Sequence, residues 1–137
     1  MNKLVRKTLV MSIILIMVMC LCACSGLGET ANCNIIPIES EIYTQEDYEE
    51  ACQVVFDCFK GFTGCSMTEI RYTGDDRSEK ERDVQDADAV IVLESTFDTD
   101  SKGGDGSLNP NDTYTGWQWI LVRDKDGKWQ HKDHGYG

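Results

Sequence analysis

Seven cysteines and two histidines are the residues of this 137-residue chain best suited to nucleophilic, redox or metal chemistry. Cys20, Cys22 and Cys24 end an apolar N-terminal run, and Cys33, Cys52, Cys58 and Cys65 lie in the body. Four cysteines in an exported domain form two disulfides by any of three pairings. A helix across Cys52 and Cys58 holds them about 9 Å apart along its axis, too far to bond. That leaves Cys33 with Cys52 and Cys58 with Cys65, or Cys33 with Cys58 and Cys52 with Cys65. Four free thiols are the alternative. The body has no Cys-x-x-Cys pair, so a zinc or redox site gains no support. His131 and His134, three apart on a strand, are expected on opposite faces of a sheet. They then cannot share one ion, and neither a metal nor a cofactor is expected. His131 shares a face with Trp129 and Asp133 and is the best acid or base available, but it lacks a nucleophile.

Oxygen ligands crowd one loop, at Asp98, Asp100, Asp105, Asn109, Asn111 and Asp112. Calcium takes about six to eight such oxygens, yet the spacing is not that of an EF-hand, and turn chemistry accounts for the composition. Asp124 and Asp126 belong to a hairpin turn. Trp117, Trp119 and Trp129 line either a ligand or partner surface or the core, because tryptophan serves both. Serine nucleophile elbows, phosphate loops and paired-carboxylate motifs are missing from the sequence.

The N-terminus carries different chemistry. Lys3, Arg6 and Lys7 precede an apolar run from Leu9 to Cys22, interrupted by Ser12, and the first acidic residue is Glu29. About 14 apolar residues are short for a span that needs roughly 20. The pattern reads as a signal peptide over residues 1–23. Leu21-Cys22-Ala23-Cys24 resembles the lipobox of bacterial lipoprotein precursors, with cleavage between Ala23 and Cys24 and lipid on Cys24. A plain secretory signal cut after Ala23 is the alternative. Two or more acyl chains, palmitate among them, hold a protein stably on a membrane. The expected location is the outer face of the cell membrane.

Three of the 13 basic residues and none of the 24 acidic ones lie in 1–23, so ten against 24 leave a mature charge of −14. Such a surface repels phosphate backbones, which excludes nucleic acid as a partner. The 114 residues that remain suffice for one domain.

The elements that must position these residues follow from periodicity. Residues 24–40 read as a lipidated tether with a short extended end, and 41–137 as the folded domain. Thr44-Gln45-Glu46-Asp47 approximates a capping box, and Gly61 and Gly64 close the helix it opens. Tyr48, Ala51, Cys52, Val54, Val55, Phe56, Cys58, Phe59 and Phe62 cover about 200° of that helix at 100° per residue. An arc so wide calls for a curved sheet around it. Residues 66–73 form a strand with Thr68, Ile70 and Tyr72 opposite Met67, Glu69 and Arg71. Residues 75–86 are charged, a loop or exposed helical turn. Residues 87–98 form a strand with Ala89, Ile91, Leu93 and Phe97 opposite Val90, Val92, Glu94 and Thr96. After the loop 99–112, residues 113–123 form a strand apolar on both faces. Residues 128–134 return from the turn at Gly127. The fold class is α+β, one N-terminal helix packed on a curved four-stranded antiparallel sheet. If nothing covers the outer face, Val90, Val92, Ile120 and Val122 expose a patch suited to a homodimer or a protein partner.

The segments Phe62-Thr63-Gly64-Cys65-Ser66-Met67-Thr68-Glu69-Ile70-Arg71-Tyr72, Gly104-Asp105-Gly106-Ser107-Leu108-Asn109-Pro110-Asn111 and Trp117-Gln118-Trp119-Ile120-Leu121-Val122-Arg123 carry a resemblance. With Lys128-Trp129 and His134-Gly135-Tyr136, they resemble a domain family of unknown function in lipoproteins of Gram-positive gut and soil bacteria, over roughly residues 40–137. The resemblance implies a cystatin-like fold of the nuclear-transport-factor-two-like group. It implies no activity, so no functional residue transfers. The expected role is a non-catalytic ligand- or protein-binding module. An enzyme with a pocket between helix and sheet, and a calcium-dependent binder through 98–112, are the other readings.

Overall fold

The computed structural model describes residues 26–136. The expected signal segment 1–23 and the expected cleavage and lipidation site at Ala23 and Cys24 lie outside the described residues. The elements run β1 (Asn34–Ile35), α1 (Gln45–Phe59), β2 (Cys65–Tyr72), α2 (Asp75–Gln85), β3 (Val90–Thr99), β4 (Thr113–Arg123) and β5 (Trp129–Tyr136). The strands form one sheet in the order β1-β2-β3-β4-β5, in which β1 is parallel to β2 and the other pairs are antiparallel. The α+β class holds, with a second helix and a fifth strand beyond the expected four. Among the described residues no helix is long and apolar enough to cross a membrane.

Helix α1 starts where its cap predicts. The Thr44 hydroxyl accepts from the Asp47 backbone N–H, and the Asp47 carboxylate accepts from the Thr44 N–H. Tyr48, Ala51, Cys52, Val55 and Phe59 are buried against Ile91, Leu93, Trp119 and Leu121 of the sheet. Val54, Phe56 and Cys58 pack at the margins of that face. The wide apolar arc is therefore used. Three register shifts interrupt the ladders, at Met67/Glu69, Ser95/Phe97 and Ile120/Leu121. Each adds a residue to one strand, and such bulges bend strands.

The bulge in β2 corrects the expected alternation. Thr68 is the extra residue, so Cys65, Met67 and Ile70 all turn into the core. Helix α2 is the larger correction to a segment read as a loop or a single turn. It covers the face opposite α1, where Val90 and Val92 are fully buried. Its contact with the sheet is polar. The Ser78 hydroxyl accepts from the Val92 N–H at 3.1 Å, and the Arg77 guanidinium donates to the Gln118 side-chain oxygen at 3.0 Å. The apolar outer face expected to favour a dimer is thus covered at Val90 and Val92.

The tether also docks in part. Glu29 bridges to Ser66, β1 pairs with Glu69 and Ile70, and the Gly28 N–H donates to the Lys60 carbonyl at 3.1 Å. Only glycine fits at 28, because a Cβ there would collide with the Phe59 carbonyl. Cys33, Cys52, Cys58 and Cys65 are free thiols, so neither expected disulfide pairing is formed. They pack as small apolar side chains at the core or its margin. Burial, then the Glu69 carboxylate, pushes the Cys33 thiol up to about 11. Burial likewise raises Cys52 to about 12, against a hydrogen bond with Tyr48 that lowers it.

Candidate functional site

A cavity of about 210 Å³ opens where α1 ends, between the 61–65 turn, the loop after β3 and the ends of β4 and β5. Phe62, Cys65, Leu108, Trp117 and His134 supply its less polar wall, and Thr63, Asp105 and Ser107 its polar one. Phe62 and Trp117 meet edge to face at 6.0 Å and 89°, and Phe62 and His134 lie 5.4 Å apart. Phe97 and Tyr114 stack at 5.2 Å behind Trp117. Such rings fix one another's orientation and give the wall a defined shape.

The loop reaches this turn because its carboxylates serve its own backbone. One Asp100 oxygen accepts from the N–H groups of Lys102 and Gly104, each at 3.0 Å. One Asp105 oxygen accepts from the N–H and hydroxyl of Ser107. Asp112 takes the Thr113 N–H and the Asn109 amide, and Asp98 takes the Thr113 hydroxyl. The four carboxylates weighed for calcium are thereby engaged within the loop and at its strand ends, and among the described residues no group of three metal-ligating side chains forms. Gly104, at φ +68°, lets the loop touch the turn. A Cβ there would lie 2.9 Å from the Thr63 carbonyl oxygen.

The three tryptophans divide. Trp119 is fully buried and donates from its indole N–H to the Ser95 hydroxyl at 2.8 Å. Trp129 is buried, donates to the Asp47 carbonyl at 3.0 Å and carries the Arg123 guanidinium 4.2 Å over its ring. Both are core residues. Of the three, Trp117 lines the cavity, and its indole N–H is buried with no acceptor among the described residues.

The histidines correct the sequence expectation. His134 pairs across the ladder with Trp119 and His131 with Leu121, while Lys132 is the extra residue of the bulge. Residues directly opposite in an antiparallel pair share a face, so both imidazoles lie on the α1 side with Trp119 and Leu121. His134 Nδ1 is 3.0 Å from His131 Nε2. Asp133 pairs with Ile120 and so faces the other way.

Cys65 and His134 line one cavity, the residue types of a nucleophile and its base. Burial, reinforced by Asp100 and Asp105, pushes the Cys65 thiol up. Its S–H donates to the Thr63 carbonyl at 3.7 Å. Burial first, and His131 second, lower the His134 imidazole against the opposing pull of Asp133. The thiol is held protonated, and His134 is partnered with His131. Asp105 keeps its charge, because the Ser107 hydroxyl and N–H hold its carboxyl below the usual range.

A second hollow of about 280 Å³ lies at the other end of β2, lined by Ile36, Pro37, Glu39 and Arg71 among others. Arg71 is engaged there with Glu94 at 2.7 Å. Sequence reasoning missed Phe62, Cys65 and His134 as neighbours, because they come from three separate elements. The available signal was that four of the stretches singled out in the sequence, 62–72, 104–111, 117–123 and 134–136, each contribute to this cavity.

Comparison with known proteins finds no matching family model, no matching curated protein and no matching solved structure.

Proposed function

We propose that this chain is an extracytoplasmic lipoprotein, held on the outer face of a membrane through Cys24, whose domain binds a small ligand or partner group beside Trp117 without catalysis. One observation carries the reading: the cavity adjoins the end of the domain nearest the anchor. The Gly64 N–H donates to the Gly26 carbonyl at 3.1 Å, and Gly64 lies between the cavity residues Thr63 and Cys65. A single residue, Ser25, separates Gly26 from Cys24. An extended chain covers at most about 3.3–3.6 Å per residue, so acyl chains on Cys24 would keep the cavity rim close to the bilayer surface.

The signal-like segment 1–23, the lipobox-like Leu21–Cys24 and the resemblance to Gram-positive lipoproteins with a cystatin-like fold support the same reading. The perpendicular faces of Phe62 and Trp117 beside the ionised Asp105 suit a cationic group. The acidic surface draws such groups in. The volume is below the range of about 300–1,000 Å³ usual for drug-sized ligands, so the occupant is small or a single side chain of a larger partner.

Native mass spectrometry of the protein extracted from its own membrane tests this. The wild type is expected to carry an adduct that Trp117→Ala loses. No adduct on either, or the same adduct on both, counts against the reading.

A further inference from the structure

The geometry points to a divalent transition-metal site at the His131–His134 pair, for a late first-row ion of the zinc, copper or nickel type. The bulge at Lys132 brings the two rings to one face, which an unbroken strand would forbid. Their facing nitrogens, Nδ1 of His134 and Nε2 of His131, are 3.0 Å apart. Two nitrogens bound to one ion at about 2.0–2.1 Å each lie roughly 2.9 Å apart at a right angle and 3.4 Å apart at the tetrahedral angle. The observed spacing falls inside that window, and an ion held by both nitrogens lies to one side of the line between them, reached by turning the rings out of their mutual hydrogen bond.

The rings are held before any ion arrives. Trp119 lies 5.0 Å from the His134 ring and 5.9 Å from the His131 ring, and Phe62 and Trp117 flank His134. Ligands already ordered lose little entropy on binding. Imidazole nitrogens suit zinc, copper and nickel above magnesium or calcium. A charge of −14, from ten basic and 24 acidic residues outside the signal segment, concentrates cations at the surface. Among the described residues no third His, Cys, Asp or Glu completes the set. The remaining positions therefore belong to water or to an occupant of the adjoining cavity, which His134 also lines. The site stands on the histidine geometry alone and does not require the cavity to have a ligand.

Zinc titration of the full mature protein in detergent micelles tests it, by calorimetry and by nitrogen NMR of the imidazoles. One ion per chain is expected, with shifts at His134 Nδ1 and His131 Nε2. His131→Gln and His134→Gln, each confirmed folded by its melting curve, are expected to bind at least about a hundredfold more weakly, since even outer-shell partners are worth 10–100-fold. No binding at millimolar zinc overturns the proposal and leaves a pair that only shares a proton. Undiminished binding in both variants overturns it equally, because the thiols would then hold the ion.

Discussion

Asp47 joins three parts of the domain through one side chain and one carbonyl. Its carboxylate caps α1 at Thr44 and receives the Arg123 guanidinium at 2.6 Å, while its carbonyl accepts from the Trp129 indole. The start of the helix is thereby fastened to the hairpin between β4 and β5. Burial raises the Asp47 carboxyl, but the hydrogen bonds from Thr44 and Arg123 outweigh it and leave the pKa below its ordinary value. A folded pKa below the unfolded one means stability that is present above the unfolded pKa and lost as pH falls through the folded one. Asp47→Ala is expected to cost roughly 1–2 kcal/mol at neutral pH from the lost cap and partner, measured by urea unfolding. The difference between wild type and variant should shrink as pH falls below about 4. A gap that stays constant to pH 2 would show that the carboxylate is not the cause. The cap was legible in Thr44-Gln45-Glu46-Asp47. The Arg123 contact was not, because 76 residues separate the partners and no local pattern encodes the closure.

At the scale of elements, what the sequence revealed depended on unbroken periodicity. Helix α1 keeps its repeat throughout and strand β4 keeps it from Trp117 onward, past the extra residue between Tyr114 and Trp117, and the inward faces of these stretches came out as expected. Strands β2 and β5 each carry an extra residue, Thr68 and Lys132, and one extra residue inverts every later assignment on a strand. That is why Met67 and Ile70, and likewise His131 and His134, were expected on opposite faces. Helix α2 failed for another reason. Its one apolar residue, Val84, faces solvent, so there is no apolar stripe to find. The available signal was the pairing of charges a turn apart, Arg77 with Glu81 and Arg82 with Glu79. Its role is to finish β3 where β2 ends. Val92 gives its carbonyl to the Thr73 N–H, and its own N–H, on that same edge, goes to Ser78. Ser78→Ala leaves this buried N–H without an acceptor and is expected to cost about 1–3 kcal/mol. Thermal unfolding reads the loss, and hydrogen exchange at Val92 should rise. Protection at Val92 equal to the wild type would mean another group takes the bond.

For the whole molecule, the cavity is assembled from a turn, a loop and two strand ends that meet only in the folded chain. The sequence offered Trp117 as a candidate and withheld its neighbours, since nothing local relates residue 62 to residues 105 and 134. The proposed anchor is the opposite case, read from a contiguous run of residues and from Cys24. Its consequence needed the structure. The chain docks on the domain from Gly26 onward, so the described stretch 26–40 is not a long free tether. The account rests on lipid at that cysteine. Intact-mass spectrometry of the protein isolated from its native membrane measures this directly. A chain beginning at residue 24, heavier by two or three acyl chains, is the predicted result. An unmodified Cys24, or a chain that still carries residues 1–23, would contradict it.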